Sequence, residues 1–264
     1  MGHRISFIST PRNLRRLVRY NNQSSSLINF VSFPLAKDEN LRYEAEATID
    51  LPLEQVPYLK KAYDSLEGPV SIFLETSRPD WIIYDFAPHW LPPIASRLHI
   101  PCCFFSIFNA SVNCFLSPPP GSTESDSDSR NRKTLEDFTV LPKWIPFPTN
   151  LAFRIHEIRK IFSSTFEING SGVSDEHRYR STIQGCAFVA IRSCMEFESD
   201  YLSLLEKLFG KPIIPVGLLP PPSSADHVND DEDDKHQEWM RMRDWLDKQE
   251  EKSVVYIALG LKQH

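Results

Sequence analysis

A carboxylate at the end of a short apolar segment is the strongest candidate for chemistry in this sequence. Residues 81–84 are apolar and β-forming, breaker residues stand on both sides of them, and Asp85 follows directly. The pattern predicts a β-strand that is buried on both faces. Ligands of open α/β sheets bind just outside the carboxyl ends of the strands. Asp85 is therefore either a site residue or an acid that caps the turn after its strand, as strand-end aspartates often do.

Four further side chains follow predicted strand ends and are candidates for lining a ligand pocket. They are three aromatic residues and one amide, namely Phe86, Trp90, Phe108 and Asn109. Aromatic rings pack well on flat ligands, and pockets are lined largely by such side chains. The alternative is that these residues belong to the core and its turns, where most aromatic side chains lie. The sequence contains no metal-binding cluster, phosphate-binding loop or dinucleotide-binding glycine motif.

Predicted strands alternate with helix-length segments along the chain, and these elements must position the candidate residues. Strands are predicted at 4–9, 27–33, 81–84, 102–106, 186–192, 213–216 and 253–259. Helices are predicted at 12–17, 56–66, 70–78, 91–98, 110–117, 151–162, 176–184, 199–209 and 239–249. This order predicts a Rossmann-like α/β fold, in which helices cover both faces of a mostly parallel sheet.

Composition shifts along the chain predict its domain organisation. A proline-rich and then acidic stretch at 219–238 predicts an interdomain linker, so that residues 1–218 form one domain and residues 239–264 begin another. The strand predicted at 253–259 lies beyond this linker, and a lone strand cannot form a domain. A truncated chain is therefore expected. Residues 118–133 contain no core-forming residue and predict a flexible surface insertion.

The overall composition excludes several classes of function. The chain has 264 residues, of which 41% are hydrophobic and 24% charged, as in ordinary globular proteins. A net charge of −6 disfavours a general nucleic-acid binder, and no apolar run approaches the roughly 18 residues of a membrane span. The five cysteines are odd in number and include no CxxC pair, which predicts reduced thiols in a cytoplasmic protein.

Several short motifs occur in the order found in the plant family of UDP-dependent glycosyltransferases, which have the GT-B fold of two Rossmann-like domains. They lie at 2–13, 45–48, 58–64, 79–88, 192–198, 211–217, 245–247 and 253–260, so the chain resembles that family over nearly its whole length. Segments 45–48 and 58–64 are similar to the subgroup that extends sugar chains on saponins, flavonoids and other glycosides, which includes rhamnosyltransferases. The resemblance implies the N-terminal, acceptor-binding half of a GT-B fold.

The resemblance also implies a reaction. The family transfers a sugar, here glucose or rhamnose, from a UDP-sugar to a hydroxyl of a plant secondary metabolite or its glycoside, with inversion. A neutral histidine takes the hydroxyl proton, and an aspartate hydrogen-bonds the other ring nitrogen. Asp85 matches that aspartate, and Phe86, Trp90, Phe108 and Asn109 would line the acceptor pocket. The acceptor would be a flavonoid, triterpenoid or other glycoside. The UDP-sugar is a co-substrate, and no bound cofactor or metal is expected.

Two parts of the family pattern are absent from this sequence. Ahead of Gly2, relatives carry a first strand and the loop with the catalytic histidine, and most of the donor-binding domain is also missing. Gly260 matches the start of a donor-site motif but is followed by leucine instead of serine. His3 lies at the wrong end of its strand to be the base. His89 is closer to Asp85 and could substitute for the base, but it is expected to line the mouth of the pocket instead.

Two consequences follow from these absences. The chain alone is expected to be inactive, although intact relatives are expected to be monomeric enzymes; the alternative is a non-catalytic acceptor-binding or decoy module. In the strand order 3-2-1-4-5-6 the first strand is central, so without it the strands at 4–9 and 81–85 lose their shared neighbour. Either the sheet closes over the gap or two apolar edges remain exposed, which predicts poor solubility.

Overall fold

The computed structural model describes residues 2–17, 27–42, 44–117, 132, 134–217, 233–250 and 253–254. Contacts between residues divide the chain into two compact units. The larger unit comprises residues 1–17 and 26–221 and contains every described strand, whereas the smaller comprises residues 18–25 and 222–264 and contains one described helix. Most of the predicted linker at 219–238 and of the strand predicted at 253–259 lies outside the described residues. The predicted domain boundaries therefore stay predictions.

The described strands of the larger unit form two parallel sheets. One sheet pairs β1 (Ile5–Ser9) with β2 (Ile28–Ser32). The other contains β3 (Ile82–Tyr84), β4 (Cys102–Ser106), β5 (Phe188–Ile191) and β6 (Ile213–Pro215), in that spatial order. Parallel neighbours require crossover connections, and the helices supply them. The architecture of parallel sheets with helices on both faces confirms the predicted fold class.

The helices follow the predicted order, with boundaries set mainly by proline and glycine. They are α1 (Pro11–Arg16), α2 (Val56–Asp64), α3 (Glu67–Ser77), α4 (Leu91–Arg97), α5 (Ala110–Leu116), α6 (Ile155–Phe166), α7 (Asp175–Gly185), α8 (Met195–Phe209) and, in the smaller unit, α9 (Asp233–Leu246). Pro11 and Pro92 occupy first turns, where a missing N–H costs nothing. Gly210 adopts a left-handed conformation (φ 61°) and ends α8. None of the described helices is long and apolar enough to cross a membrane.

The core lies on one face of the four-stranded sheet. Tyr84, Phe104 and Val189 point to this face and pack against α3, α4 and α7. Ile191 of β5 packs in a second cluster with residues of α5 and α8. A third cluster joins Phe115 to side chains around α6. All five cysteines are free thiols, and four of them are buried.

The opposite sheet face is poorly covered at β3, so the prediction that strand 81–84 is buried on both faces is wrong. Ile83 is 72% exposed and Trp81 is 50% exposed. On the smaller sheet, Ile5 and Phe7 of β1 are exposed as well. Among the described residues, β1 and β3 do not pair with each other. Within the described part of the chain, apolar side chains of both strands are therefore exposed.

Three local predictions need correction. Helix α6 begins at Ile155 instead of residue 151. Helix α8 begins at Met195, but its backbone leaves the helical region at Glu198 (φ −137°, ψ 39°), so the predicted start at Ser199 marks only its second part. Arg132 belongs to the predicted surface insertion, yet its guanidinium lies 4.1 Å from the ring centroid of Phe115 and hydrogen-bonds that residue's carbonyl. The prediction that residues 118–133 contribute nothing to the core is therefore wrong for Arg132.

Candidate functional site

The carboxyl ends of β3, β4 and β5 meet at one edge of the larger sheet because these strands are parallel. Asp85 follows β3 directly. Residues 107–109 follow β4, and Arg192 follows β5. Three loops that are far apart in sequence therefore supply the side chains at this edge. This edge is the candidate functional site.

Asp85 is exposed at this edge, and its carboxylate is partly engaged by its own turn. Its Oδ1 atom accepts a hydrogen bond of 2.9 Å from the backbone N–H of Ala87. This contact is the turn-capping role that the sequence left open. Among the described residues no partner contacts the second oxygen, Oδ2, so it can accept a hydrogen bond from a ligand or from another side chain.

Tyr63 was predicted only as part of a helix face, yet its phenol belongs to the surroundings of Asp85. Burial raises the pKa of Tyr63, and the negative charges of Asp85 and Asp64 raise it further. Its ring also lies 6.1 Å from that of Trp90. The phenol therefore stays neutral. Helical spacing alone could not distinguish this position from an ordinary core position.

His89 is held in a state that does not suit a base. Its Nδ1 atom lies 3.1 Å from Nη1 of Arg178, which can only donate, so Nδ1 accepts this hydrogen bond. The proton of the neutral ring is then on Nε2. Burial lowers the pKa of His89, and the charge of Arg178 lowers it further. The lone pair that a base needs is already used. His3 is exposed ahead of β1, which belongs to the other sheet.

An open groove of about 410 Å³ lies beside the ends of β4 and β5. Its lining combines aromatic, aliphatic and polar side chains: Ile107, Phe108, Asn109, Val112, Arg192 and Phe197. Phe108 is 48% exposed and Phe197 is 67% exposed, which is unusual for rings that serve a core. The sequence predicted Phe108 and Asn109 as lining residues but missed Phe197. The available signal was the family-like turn at 192–198, which directly follows β5.

Buried Glu198 holds the two loops of the groove together. Its Oε2 accepts hydrogen bonds from the Ala110 amide (2.8 Å) and the Ser193 hydroxyl (2.6 Å), and its Oε1 accepts one from the Ser111 amide (2.9 Å). Burial opposes the charge, but these hydrogen bonds outweigh it and lower the pKa of Glu198. The carboxylate thereby caps the first turn of α5, where N–H groups lack partners. The departure from helical geometry at Glu198 accommodates this contact.

The remaining predicted site residues have other surroundings. Trp90 is only 7% exposed, packs in the core and donates from Nε1 to Asp64 at 3.2 Å. Phe86 is partly buried against the same core cluster. Asn109 caps α5, since its side chain accepts a hydrogen bond from the Val112 amide. Gly260 lies outside the described residues. Within the described ranges no group of three or more histidine, cysteine or acidic side chains is arranged to hold a metal ion.

The fold and the site together define a parallel α/β domain with an open groove at the carboxyl edge of its sheet. No family model matches the chain. UDP-glycosyltransferase 91C1 of Arabidopsis thaliana is 45% identical over 98% of this chain and 54% of its own length. Soyasaponin III rhamnosyltransferase of Glycine max is 36% identical over 98% of this chain and 53% of its own length.

A solved structure supports the same assignment at the level of fold. Arabidopsis thaliana UGT89C1, crystallised with quercetin, aligns with a TM-score of 0.56 and 18% identity, over 95% of this chain and 49% of that protein. The chain belongs to the plant family of UDP-glycosyltransferases. It spans about half the length of the curated relatives that it matches.

Proposed function

We propose that this chain forms the acceptor-binding part of a glycosyltransferase that uses a UDP-sugar. The sugar, glucose or rhamnose, is transferred to a hydroxyl of a plant secondary metabolite or its glycoside. The single observation that carries the proposal is the shared location of Asp85 and of the groove with exposed Phe108 and Phe197. Both lie at the carboxyl edge of one parallel sheet, where α/β folds bind their ligands.

The chemistry follows from what each group can do. The acceptor hydroxyl attacks the anomeric carbon as the bond to UDP breaks, and the hydroxyl proton passes to a neutral histidine. Asp85 would hydrogen-bond the other nitrogen of that ring, which fixes the tautomer and stabilises the imidazolium. Oδ1 of Asp85 is held by the Ala87 amide, so the carboxylate is already oriented before a histidine contacts it. The histidine must come from outside the described residues.

The acceptor proposed for the groove is a flat or rigid polycyclic compound, such as a flavonoid or triterpenoid glycoside. Phe108 and Phe197 offer ring faces to such a skeleton, and Asn109 and Arg192 lie beside them as polar groups. The quercetin bound to a structural neighbour is a ligand of this class. A cytoplasmic location and a monomeric whole protein belong to the same proposal.

Ligand titration tests the proposal on the chain as it is. Quercetin and a triterpenoid glycoside should quench tryptophan fluorescence saturably. Phe108→Ala and Phe197→Ala should each weaken binding about threefold to tenfold, because one ring contact is worth roughly 0.5–1.5 kcal/mol. Ile168→Ala is the matched control, since Ile168 is 79% exposed and does not line the groove. Equal affinities in all these variants would refute the groove assignment.

A non-catalytic acceptor-binding or decoy module is the second candidate function. One observation favours it: among the described residues no histidine hydrogen-bonds Asp85, and the nearby His89 is occupied by Arg178. Incubation with a UDP-sugar and a bound acceptor separates the candidates. A glycoside product that disappears in Asp85→Asn would establish catalysis by the chain. Saturable acceptor binding without product would support the non-catalytic module.

A further inference from the structure

A buried arginine lies directly behind the loop that carries Asp85. Arg178 of α7 is 1% exposed, and its guanidinium forms a bidentate pair with Asp64 of α2, at 2.7 and 2.5 Å. The two residues are 114 positions apart in the sequence. Buried ion pairs contribute little net stability because desolvation of the charges offsets their attraction. Arg178 is buried while Asp64 is partly exposed, so a fully buried guanidinium at this place calls for an explanation beyond stability.

The same guanidinium holds the backbone of the Asp85 loop. Its Nη1 atom donates to the carbonyl of Ala87 at 3.0 Å, and its Nη2 atom donates to the hydroxyl of Ser171 at 2.9 Å. The N–H of Ala87 in turn donates to Oδ1 of Asp85 at 2.9 Å. One residue, Ala87, is thus fixed by Arg178 through its carbonyl and fixes Asp85 through its amide.

Arg178 also determines the hydrogen-bonding state of His89 in this loop. Its Nη1 atom also lies 3.1 Å from Nδ1 of His89; because Nη1 has two N–H groups and three acceptors, one N–H is shared with His89, and a donor facing Nδ1 leaves the ring proton on Nε2. The other ionisable groups facing this ring are Asp64, 3.7 Å from Nδ1, and His177, whose ring centroid is 5.6 Å away. The rigid, planar fork of an arginine can serve these four acceptor residues at once, whereas the ammonium of lysine cannot reproduce this geometry.

We propose that Arg178, paired with Asp64, is a positioning residue for Asp85. Through Ala87 it sets the orientation of the Asp85 carboxylate, and through Nδ1 it keeps His89 a neutral hydrogen-bond donor. The role of Asp85 in sugar transfer rests on the proposed function, but the positioning itself does not. Asp64 keeps the guanidinium in place by balancing its charge.

Hydrogen–deuterium exchange with mass spectrometry tests this inference on the full chain. In Arg178→Gln and Arg178→Lys, a peptide that covers the loop 85–90 should exchange roughly fivefold faster, as expected for the loss of hydrogen bonding worth about 1 kcal/mol. Peptides from β4 should be unchanged. The matched control is Arg180→Gln, which removes a half-exposed arginine of the same helix from its pair with Glu176. Exchange at the imidazole carbon of His89, followed against pH, should show a pKa that rises in Arg178→Gln.

Each outcome decides the proposal. Loop exchange that equals that of wild type in both Arg178 variants would overturn it. So would a wild-type His89 that titrates at or above the ordinary value of about 6.5, and this measurement needs no variant. If Arg178→Gln proves unfolded, loop exchange in Arg178→Lys and the titration of His89 in the wild type still test the proposal. Failure of acceptor binding in the fluorescence titration would count against the proposed function and leave the loop measurement intact.

Discussion

Replacement of Glu198 by glutamine should weaken the structure that supports the groove. The carboxylate accepts three hydrogen bonds, two at Oε2 and one at Oε1. Glutamine has the same shape, but its NH₂ group can only donate. If its oxygen occupies the position of Oε2, its NH₂ faces the N–H of Ser111, and that amide loses its acceptor.

The magnitude follows from these contacts. One buried donor without an acceptor costs about 1–3 kcal/mol, so Glu198→Gln should lower the free energy of unfolding by about 2 kcal/mol. Glu198→Ala leaves all three donors without an acceptor and should cost at least about 3 kcal/mol. Glu196→Gln is the matched control, because Glu196 is exposed two residues earlier and a surface substitution should stay within about 0.5 kcal/mol.

The same contacts predict how the effect depends on pH. The pKa of Glu198 is lower in the folded chain than the ordinary glutamate value of about 4.3. Its contribution to stability is therefore complete above that value and is lost as the pH falls through the folded pKa. The stability difference between wild type and Glu198→Gln should be constant near neutral pH and should shrink below about pH 4.

Urea denaturation followed by far-UV circular dichroism measures these differences, with the midpoint and slope fitted for each variant. The result that refutes the reasoning is a Glu198→Gln variant as stable as Glu196→Gln at pH 7. A difference between wild type and Glu198→Gln that grows on acidification would refute the account of its charge.

Three further outcomes are expected. Ile83→Lys should reduce aggregation in light scattering, because Ile83 is 72% exposed on the poorly covered face of β3. Ile82→Lys should destabilise the chain, because Ile82 lies on the face that packs against the core. Equal behaviour of the two variants would contradict this assignment of faces. Arg132→Ala should lower the urea midpoint by an amount equivalent to roughly 1–3 kcal/mol, since its guanidinium contacts two phenylalanine rings and a backbone carbonyl. Asn109→Ala should cost about 1 kcal/mol as a lost helix cap, and an unchanged midpoint would argue against capping.

Local sequence patterns determined most of the elements. The apolar run of β4 is preceded by Pro101 and followed by a turn, and the helix after β3 accepts two prolines because they lie in its first turn. Gly210 ended α8 as predicted, since glycine adopts the left-handed conformation readily. The position of Asp85 directly after a strand, and thus its place at the carboxyl edge, also followed from sequence alone.

Tertiary structure decided which side chains meet at that edge. Glu198 contacts Ala110 across 88 positions, and Arg178 contacts Asp64 across 114, and no local period predicts such pairs. The tertiary fold also assigned Trp90 to the core and left Ile83 exposed, because burial depends on which elements cover a face and not on the hydrophobicity of the residue. Strand periodicity could place Asp85 at the end of β3, but only the packing of α2 and α7 behind its loop determines how that carboxylate is held.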